Sequence, residues 1–278
     1  MFGSEYSNQP EILLSSFEEM SHDYKKKTIN QKKLGIRFLQ KLYIKLFGIP
    51  EVGFQIRSLY FENIIKPLFN KKFKHILDAG SGIGTYSMWL ARKYPDARIF
   101  GGDVSREKIK FSTEFAKKTN VSNVDFGYLD ITKAKVGKKF DLIVNIDVLE
   151  HIKDYKKVIH NFYNLLAKNG YLYIHTPQPG QRRIFKSLRA WSHEEHIHEG
   201  YTPEELTLEL KKAGFRIIVL LETFGFFGKL AWELNHLSFK KGFIISGILY
   251  PFLYPIACLD PVFRNKNGLG TVILAKKL

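Results

Sequence analysis

Residues His75–Ser87 read HILDAGSGIGTYS, and this stretch decides the fold. A short apolar run, Ile76 and Leu77, delivers Asp78; glycines follow at 80, 82 and 84; TYSMWLARKY then continues in a helix-compatible pattern. Glycines supply backbone angles and a closeness of approach that a Cβ forbids. A helix opening near Gly84 presents unpaired N–H groups and a positive dipole end to whatever lies over the turn. The stretch therefore reads as a nucleotide-type cradle at the carboxyl end of a first strand, with an ordinary tight strand-to-helix turn as the plainer alternative.

The flanking sequence alternates regularly. Strands are expected at 75–80, 98–103, 124–130, 140–147, 170–176, 215–223 and 271–277, and helices at 84–94, 105–118, 153–168 and 203–213. Lys168-Asn169-Gly170 reads as a helix stop, and Thr202, Pro203 and Glu205 as an N-cap, first-turn proline and capping box. Alternation at this period predicts an α/β fold, a doubly wound, mostly parallel seven-stranded sheet with ligands at the strands' carboxyl ends. Two acids sit at such ends. Asp103 closes RIFGGD nineteen residues after Gly84, and Asp130 closes VDFGYLD. A carboxylate about 20 residues beyond such a turn is the usual partner of ribose hydroxyls. Acids at strand ends also form turns, but three at three successive ends (Asp78, Asp103, Asp130) favour a shared ligand.

The glycine spacing separates cofactor classes. A dinucleotide fingerprint needs Gly-x-Gly-x-x-Gly/Ala, whereas this run is Asp-x-Gly-x-Gly-x-Gly. In these residues the chain resembles the class I S-adenosylmethionine (SAM) dependent methyltransferases, from about Lys74 to Phe215 and less clearly over the last strand. The resemblance implies a Rossmann-like core and SAM as cofactor. Asp78 would help hold the glycine loop and the methionine amino group, and Gly80, Gly82 and Gly84 would let the backbone approach the cofactor. Asp103 would accept both ribose hydroxyls, Asp130 would accept from the adenine amino group, and Ile131 would lie against the ring. Val104 and Asn145 complete the cofactor-binding set.

The fourth strand continues into FDLIVNIDVLEHIKD. Asp147, Glu150 and His151 look like the Asp/Glu-x-x-Glu-His segment of the subgroup containing the ubiquinone-pathway O-methyltransferases. There the matching residues can bind a divalent ion, a chemically reasonable donor set. No metal is assigned here, because His151 as general base toward an acceptor hydroxyl is the stronger reading; a histidine that merely fixes the loop stays open beside it. Further on, His193, Glu194, Glu195, His196 and His198 lack the His-Glu-x-x-His spacing of a zinc helix. They look instead like the stretch over the acceptor pocket in the same subgroup, with His196 the second catalytic candidate. Arg182, Arg183 and Arg189 are placed to hold an anionic acceptor, since guanidinium forks match carboxylates and phosphates.

Composition sets the remaining bounds. The 278 residues carry a net charge of +16, which suggests an anionic partner, although scattered solvated lysines also account for it. The single cysteine, Cys258, excludes an internal disulfide and a cysteine-based zinc site. The acidic opening MFGSEYSNQPEILLSSFEEM lacks the basic start and apolar run of a secretory signal, so a cytoplasmic chain is expected.

Four parts are anticipated. Residues 1–70 form N-terminal helices (LGIRFLQKLYIKLF at 34–47, then VGFQIRSLYFENIIKPLF) acting as a lid or substrate wall, with membrane contact by the basic 34–47 helix as the alternative. Residues 71–223 form the SAM-binding core, 224–270 an apolar helical insertion serving as acceptor lid or membrane contact, and 271–278 the last core strand. Within the insertion, Gly242–Leu259 is 18 uncharged residues flanked by Lys240, Lys241 and Asp260. As a helix it would reach about 27 Å, marginal for a bilayer and kinked by Pro251 and Pro255. A core strand following it argues against a single crossing.

The expected activity is methyl transfer from SAM to a small-molecule or lipid-linked acceptor, at oxygen, by an enzyme peripheral to an anionic membrane surface. A nucleic-acid methyltransferase is the enzymatic alternative. It lacks an Asn-Pro-Pro-Tyr-like run after strand four and any separate RNA-binding module. A SAM-binding subunit without turnover is the non-enzymatic one. The acceptor's identity and the oligomeric state are not encoded in any motif.

Overall fold

A computed structural model describes residues 51–133, 136–188 and 197–278. The expected 34–47 helix, His193, Glu194, Glu195, His196 and Arg189 lie outside the described residues. In chain order the elements are α1 (Val52–Ile65), β1 (His75–Ala79), α2 (Thr85–Lys93), β2 (Arg98–Asp103), α3 (Arg106–Lys118), β3 (Val124–Tyr128), β4 (Phe140–Ile146), α4 (Tyr155–Leu165), β5 (Leu166–Pro177), α5 (Pro203–Lys212), β6 (Phe215–Thr223), α6 (Phe226–Lys241), α7 (Phe243–Cys258) and β7 (Gly270–Lys277).

The strands form one seven-stranded sheet in the order β3-β2-β1-β4-β5-β7-β6. β1 to β5 run parallel, and β7 is antiparallel to both β5 and β6. The order reverses between β1 and β4, so ligands of such a sheet sit at the carboxyl ends of these strands. Helices bury both faces. One core gathers residues of α1, α2, α3 and α7 around Phe61, Trp89 and Tyr173. The other gathers α4 and α5 around Phe140, Phe162 and Tyr201.

Two expectations are corrected. The helix anticipated over 153–168 ends at Leu165, and Lys168-Asn169-Gly170 does not stop it. Those residues fall inside β5, where Asn169 takes a left-handed φ of 63° near a register shift against β4. The strand anticipated over 124–130 ends at Tyr128, which leaves Asp130 in the following turn.

The apolar stretch after β6 is a pair of helices. Gly242, at φ 126°, separates α6 from α7 in a conformation a side chain would strain. Two buried polar residues fasten the pair to α1. Asn235 on α6 accepts from the Val52 N–H at the start of α1 (3.1 Å) and donates to Ser246 Oγ on α7 (3.0 Å). Asp260, after α7, accepts from the Tyr60 hydroxyl on α1 (3.0 Å) and from the Gly228 N–H in the first turn of α6 (2.9 Å). Asp260 is therefore a buried helix-end acceptor and not part of a solvated rim. Burial raises its carboxyl above the ordinary range, and these hydrogen bonds oppose that shift.

Asp260→Ala should strip partners from two buried donors, an expected loss of about 2–4 kcal/mol at one to three per unsatisfied group. Urea unfolding of the variant against the parent checks this; a change under about 0.5 kcal/mol would show that the insertion is held by packing alone.

Candidate active site

The glycine loop is built by backbone geometry. Gly80, Gly82 and Gly84 all have positive φ, at 82°, 53° and 81°. A Cβ on Gly80 would lie 2.4 Å from Val148 Cγ2, and one on Gly84 would lie 2.6 Å from the Phe126 ring. On Gly82 it would meet nothing within 4 Å, so the loop is packed on two glycines and open at the third. The Gly80 and Ser81 N–H groups both donate to the Gly102 carbonyl, at 2.8 and 3.0 Å, tying the loop to the end of β2.

Asp103 completes that tie. One carboxylate oxygen accepts the Gly82 N–H and the other the Ser105 N–H, each at 2.8 Å. The acid that holds the glycine loop is thus Asp103. Asp78 is buried and accepts from Ser87 Oγ at 2.6 Å. Burial pushes the Asp78 carboxyl up to about 6, against the pull of the Ser87 bonds, and the Asp103 charge adds to the rise. A carboxylate has about four acceptor positions, so Asp103 keeps lone pairs for a further pair of donors.

The rest of the expected cofactor set is spread along the same edge. Val104 is exposed and Ile131 buried. Asp130 accepts from the Thr132 N–H (3.0 Å) and hydroxyl (2.6 Å) and lies 3.4 Å from Lys133 Nζ. The Thr132 hydrogen bond leads in holding it below the ordinary carboxylate range. Asn145 is fully buried between β1 and β5; its amide donates to the Ala79 carbonyl at 2.7 Å. Its Oδ1 has no partner among the described residues.

A second polar group follows β4. Asp147 has a left-handed φ of 52°, and one carboxylate oxygen lies 2.6 Å from His175 Nδ1 while the other lies 3.3 Å from Arg57 Nε. Beside an ionised carboxylate the Nδ1–H donates, and Thr223 Oγ1 stands 3.0 Å from Nε2. Arg57 also acts on Tyr86, in the first turn of α2, where its charge opposes the rise that burial gives the phenol. Arg57, Tyr86, His175 and Thr223 went unremarked in the sequence. The one available signal was Arg57, the only basic residue in VGFQIRSLYFENII.

Glu150 is buried and accepts from the Thr176 hydroxyl at 3.2 Å. Burial, reinforced by the Asp147 charge, pushes its carboxyl up to about 8. Its carbonyl accepts the N–H groups of Ile197 and His198, both at 3.0 Å, which anchors these two residues beside His151. His151 is exposed at the end of the short helical turn Leu149–His151. His198 lies 3.3 Å from the Lys153 carbonyl and packs edge-on to Tyr155. Arg183 stacks over Trp232 at 4.7 Å, Arg182 is exposed, and Glu233 on α6 accepts from the Ile184 and Phe185 N–H groups at 3.0 and 2.8 Å.

Of the residues in the divalent-ion reading, Asp147 is engaged by Arg57 and His175, and Glu150 by the Thr176 hydroxyl. No group of three or more histidine, cysteine or acidic residues is arranged for a metal among the described residues.

Glu150 has a consequence for stability. The unfolded carboxyl ionises near 4.5 while the folded one keeps its proton until about 8. The unfolded state then binds fewer protons across that window, and this group lowers stability as pH rises through it. Glu150→Gln should therefore raise the melting temperature little at pH 4.5 and progressively more up to pH 8. A pH-independent difference between variant and parent would refute the assignment.

The family model described as "Methyltransferase domain" matches residues 55–220. The (S)-coclaurine N-methyltransferase of Thalictrum flavum subsp. glaucum is 31% identical over 99 residues, 36% of this chain and 27% of that protein. The ubiquinone biosynthesis O-methyltransferase of Pelagibacter ubique (strain HTCC1062) is 33% identical over 147 residues, 53% of this chain and 54% of that protein. The chain thus spans about a quarter of the first relative's length and about half of the second's. Among solved structures, the N-methyltransferase NodS of Bradyrhizobium japonicum WM9, in complex with S-adenosyl-L-homocysteine, superposes with a TM-score of 0.51 at 16% identity, covering 80% of this chain and 86% of that one. At that identity the likeness is one of fold.

Proposed function

This chain belongs to the methyltransferase-domain family of class I SAM-dependent methyltransferases, and on that premise we propose that it methylates a small, lipid-linked acceptor at oxygen. The observation that carries the reading is the Asp103 carboxylate, bonded to the Gly82 N–H beneath the one loop glycine with open space over it. The residues fit the cofactor. The left-handed glycines make a cradle that side chains would fill, Asn145 Oδ1 is a buried acceptor in want of a donor, and Asp103 has lone pairs left for two ribose hydroxyls. When bound, SAM supplies an electrophilic methyl group on a sulfonium sulfur.

The chain's own residues do the remainder. Gly80, Gly82 and Gly84 keep the backbone close to the cofactor, Asp78 receives its amino group, and Val104, Asp130 and Ile131 border the adenine. Alignment of acceptor and methyl group is the main source of rate. His151 is the base in this reading: its imidazole takes the acceptor hydroxyl proton as the oxygen lone pair is committed. A hydroxyl acceptor keeps its proton near neutral pH, so oxygen attack needs such a base, and His151 is the residue that supplies it in this reading. His196 is the second candidate, next in sequence to Ile197, whose N–H donates to the Glu150 carbonyl.

Asp103→Ala should weaken SAM binding roughly ten- to a hundred-fold, the cost of losing charged acceptors at about 1.5–3 kcal/mol. Calorimetry giving unchanged affinity on a folded variant would sink the assignment. His151→Ala should leave SAM affinity within about two-fold while lowering conversion of SAM to S-adenosylhomocysteine by about 10²–10⁴. Parent-like turnover would make His151 structural. Absence of turnover in the parent, with SAM bound and lipid, small-molecule and RNA extracts supplied as acceptors, would point to a binding subunit.

A further inference from the structure

α7 is apolar on two opposite sides, and only one of them is used inside the protein. Ser246, Tyr250, Leu253 and Ala257, spaced by three and four residues, are buried. The other side carries Ile244, Ile248 and Phe252, which are 70%, 63% and 69% exposed, and continues through Leu259 to Val262 and Phe263. The recurrence near 3.6 residues makes this a continuous outer stripe on the helix. Single exposed apolar residues are common; a contiguous stripe of this length marks an interaction surface.

The charges around the stripe identify the partner. Between Lys240 and Lys266 the basic residues are Lys240, Lys241, Arg264 and Lys266, and all four are exposed. The single acid in that interval, Asp260, is fully buried against Tyr60 and Gly228. Along the chain from Lys240 to Lys266 the exposed charge is therefore entirely positive, at both ends of the helix. An apolar face bounded by cations matches the headgroup and upper acyl region of an anionic lipid leaflet.

By length and composition alone, Ile244–Val262 passes as a membrane span. The structure argues otherwise. α7 is only 16 residues, about 24 Å, and its inner side is docked on the domain. The chain then returns to the sheet, because β7 pairs with β5 over Tyr171–Pro177 and with β6 over Phe215–Thr223.

We infer that the outer face of α7 lies in the interface of an anionic bilayer, with Ile248 and Phe252 inserted and Lys240, Lys241, Arg264 and Lys266 at the phosphates. The same helix pair holds the segment after β5, since Glu233 on α6 accepts from the Ile184 and Phe185 N–H groups. Docking thus brings the segment at Ile184 and Phe185 to the lipid surface, from which a lipid-borne acceptor is taken. This last clause rests on the methyltransferase reading, while the docking itself does not.

The test is flotation of the full chain, without cofactor, on phosphatidylcholine vesicles with and without phosphatidylglycerol. Binding should require the anionic lipid and fall at high salt, since each cation near such a surface contributes about five-fold to partitioning. Phe252→Asp and the double change Lys240→Glu with Lys241→Glu should each reduce the bound fraction roughly ten-fold or more, with melting temperature and SAM affinity unchanged. Equal binding by the parent and both variants overturns the inference. So does a parent that ignores the vesicles but is a dimer dissociated by Phe252→Asp, since the stripe then belongs to a second copy. Vesicle binding without any methyl transfer to extracted lipid keeps the docking site and removes the lipid-borne acceptor.

Discussion

The strand that closes the sheet sits inside it. β7 is made last of the seven but lies between β5 and β6, with every position from Gly270 to Ala275 buried. β6 joins the sheet only through β7, so the chain between Thr223 and Gly270 must leave and return at one sheet end. The helix pair α6–α7 is the consequence: two 16-residue helices that fold back on each other and lean on α1. An apolar segment held at both ends by one sheet has no freedom to cross a bilayer. Its remaining surface is settled by what packs beneath it.

The site depends on the same closure. His175 lies on β5, flanked by β4 and β7, and takes Asp147 on one side and Thr223 from the end of β6 on the other. Removing β7 would take Thr223 away and leave a buried imidazole short of a partner. Asp147 in turn holds Arg57, so the line Thr223–His175–Asp147–Arg57 runs from the antiparallel end of the sheet to α1. Hydrogen bonds in such a chain polarise one another and hold geometry better than isolated pairs. The left-handed backbone at Asp147 is the local strain it carries.

The sequence disclosed what local pattern controls and missed what distant contact controls. The βα period, the glycine loop and Asp103 could be read because each is a short-range arrangement of residue types around one strand end. Thr202 as N-cap of α5 belongs to the same class, its side chain accepting from the Glu205 N–H. Arg57 and His175 carry no local signature; they matter because Asp147, 90 and 28 residues away, brings them together. Asp260 was legible only as a flank of the apolar run and Glu233 not at all, yet both are fully buried by partners from other elements. The Lys168-Asn169-Gly170 stop failed for a related reason. A left-handed residue ends a helix or bends a strand equally well, and pairing with β4 chose the strand.

α1 joins these two regions in under one helical turn. Arg57 reaches Asp147 at the site, and three residues on, Tyr60 reaches Asp260 beneath the insertion. Residues three apart share a face of a rigid helix, so neither contact can part without dragging on the other. In the language of amide exchange, α1, the helix pair and the Asp147 turn form one cooperative unit, opening together at a single free energy. Whatever steadies the insertion, a lipid leaflet included, slows the breathing of the site by the same amount.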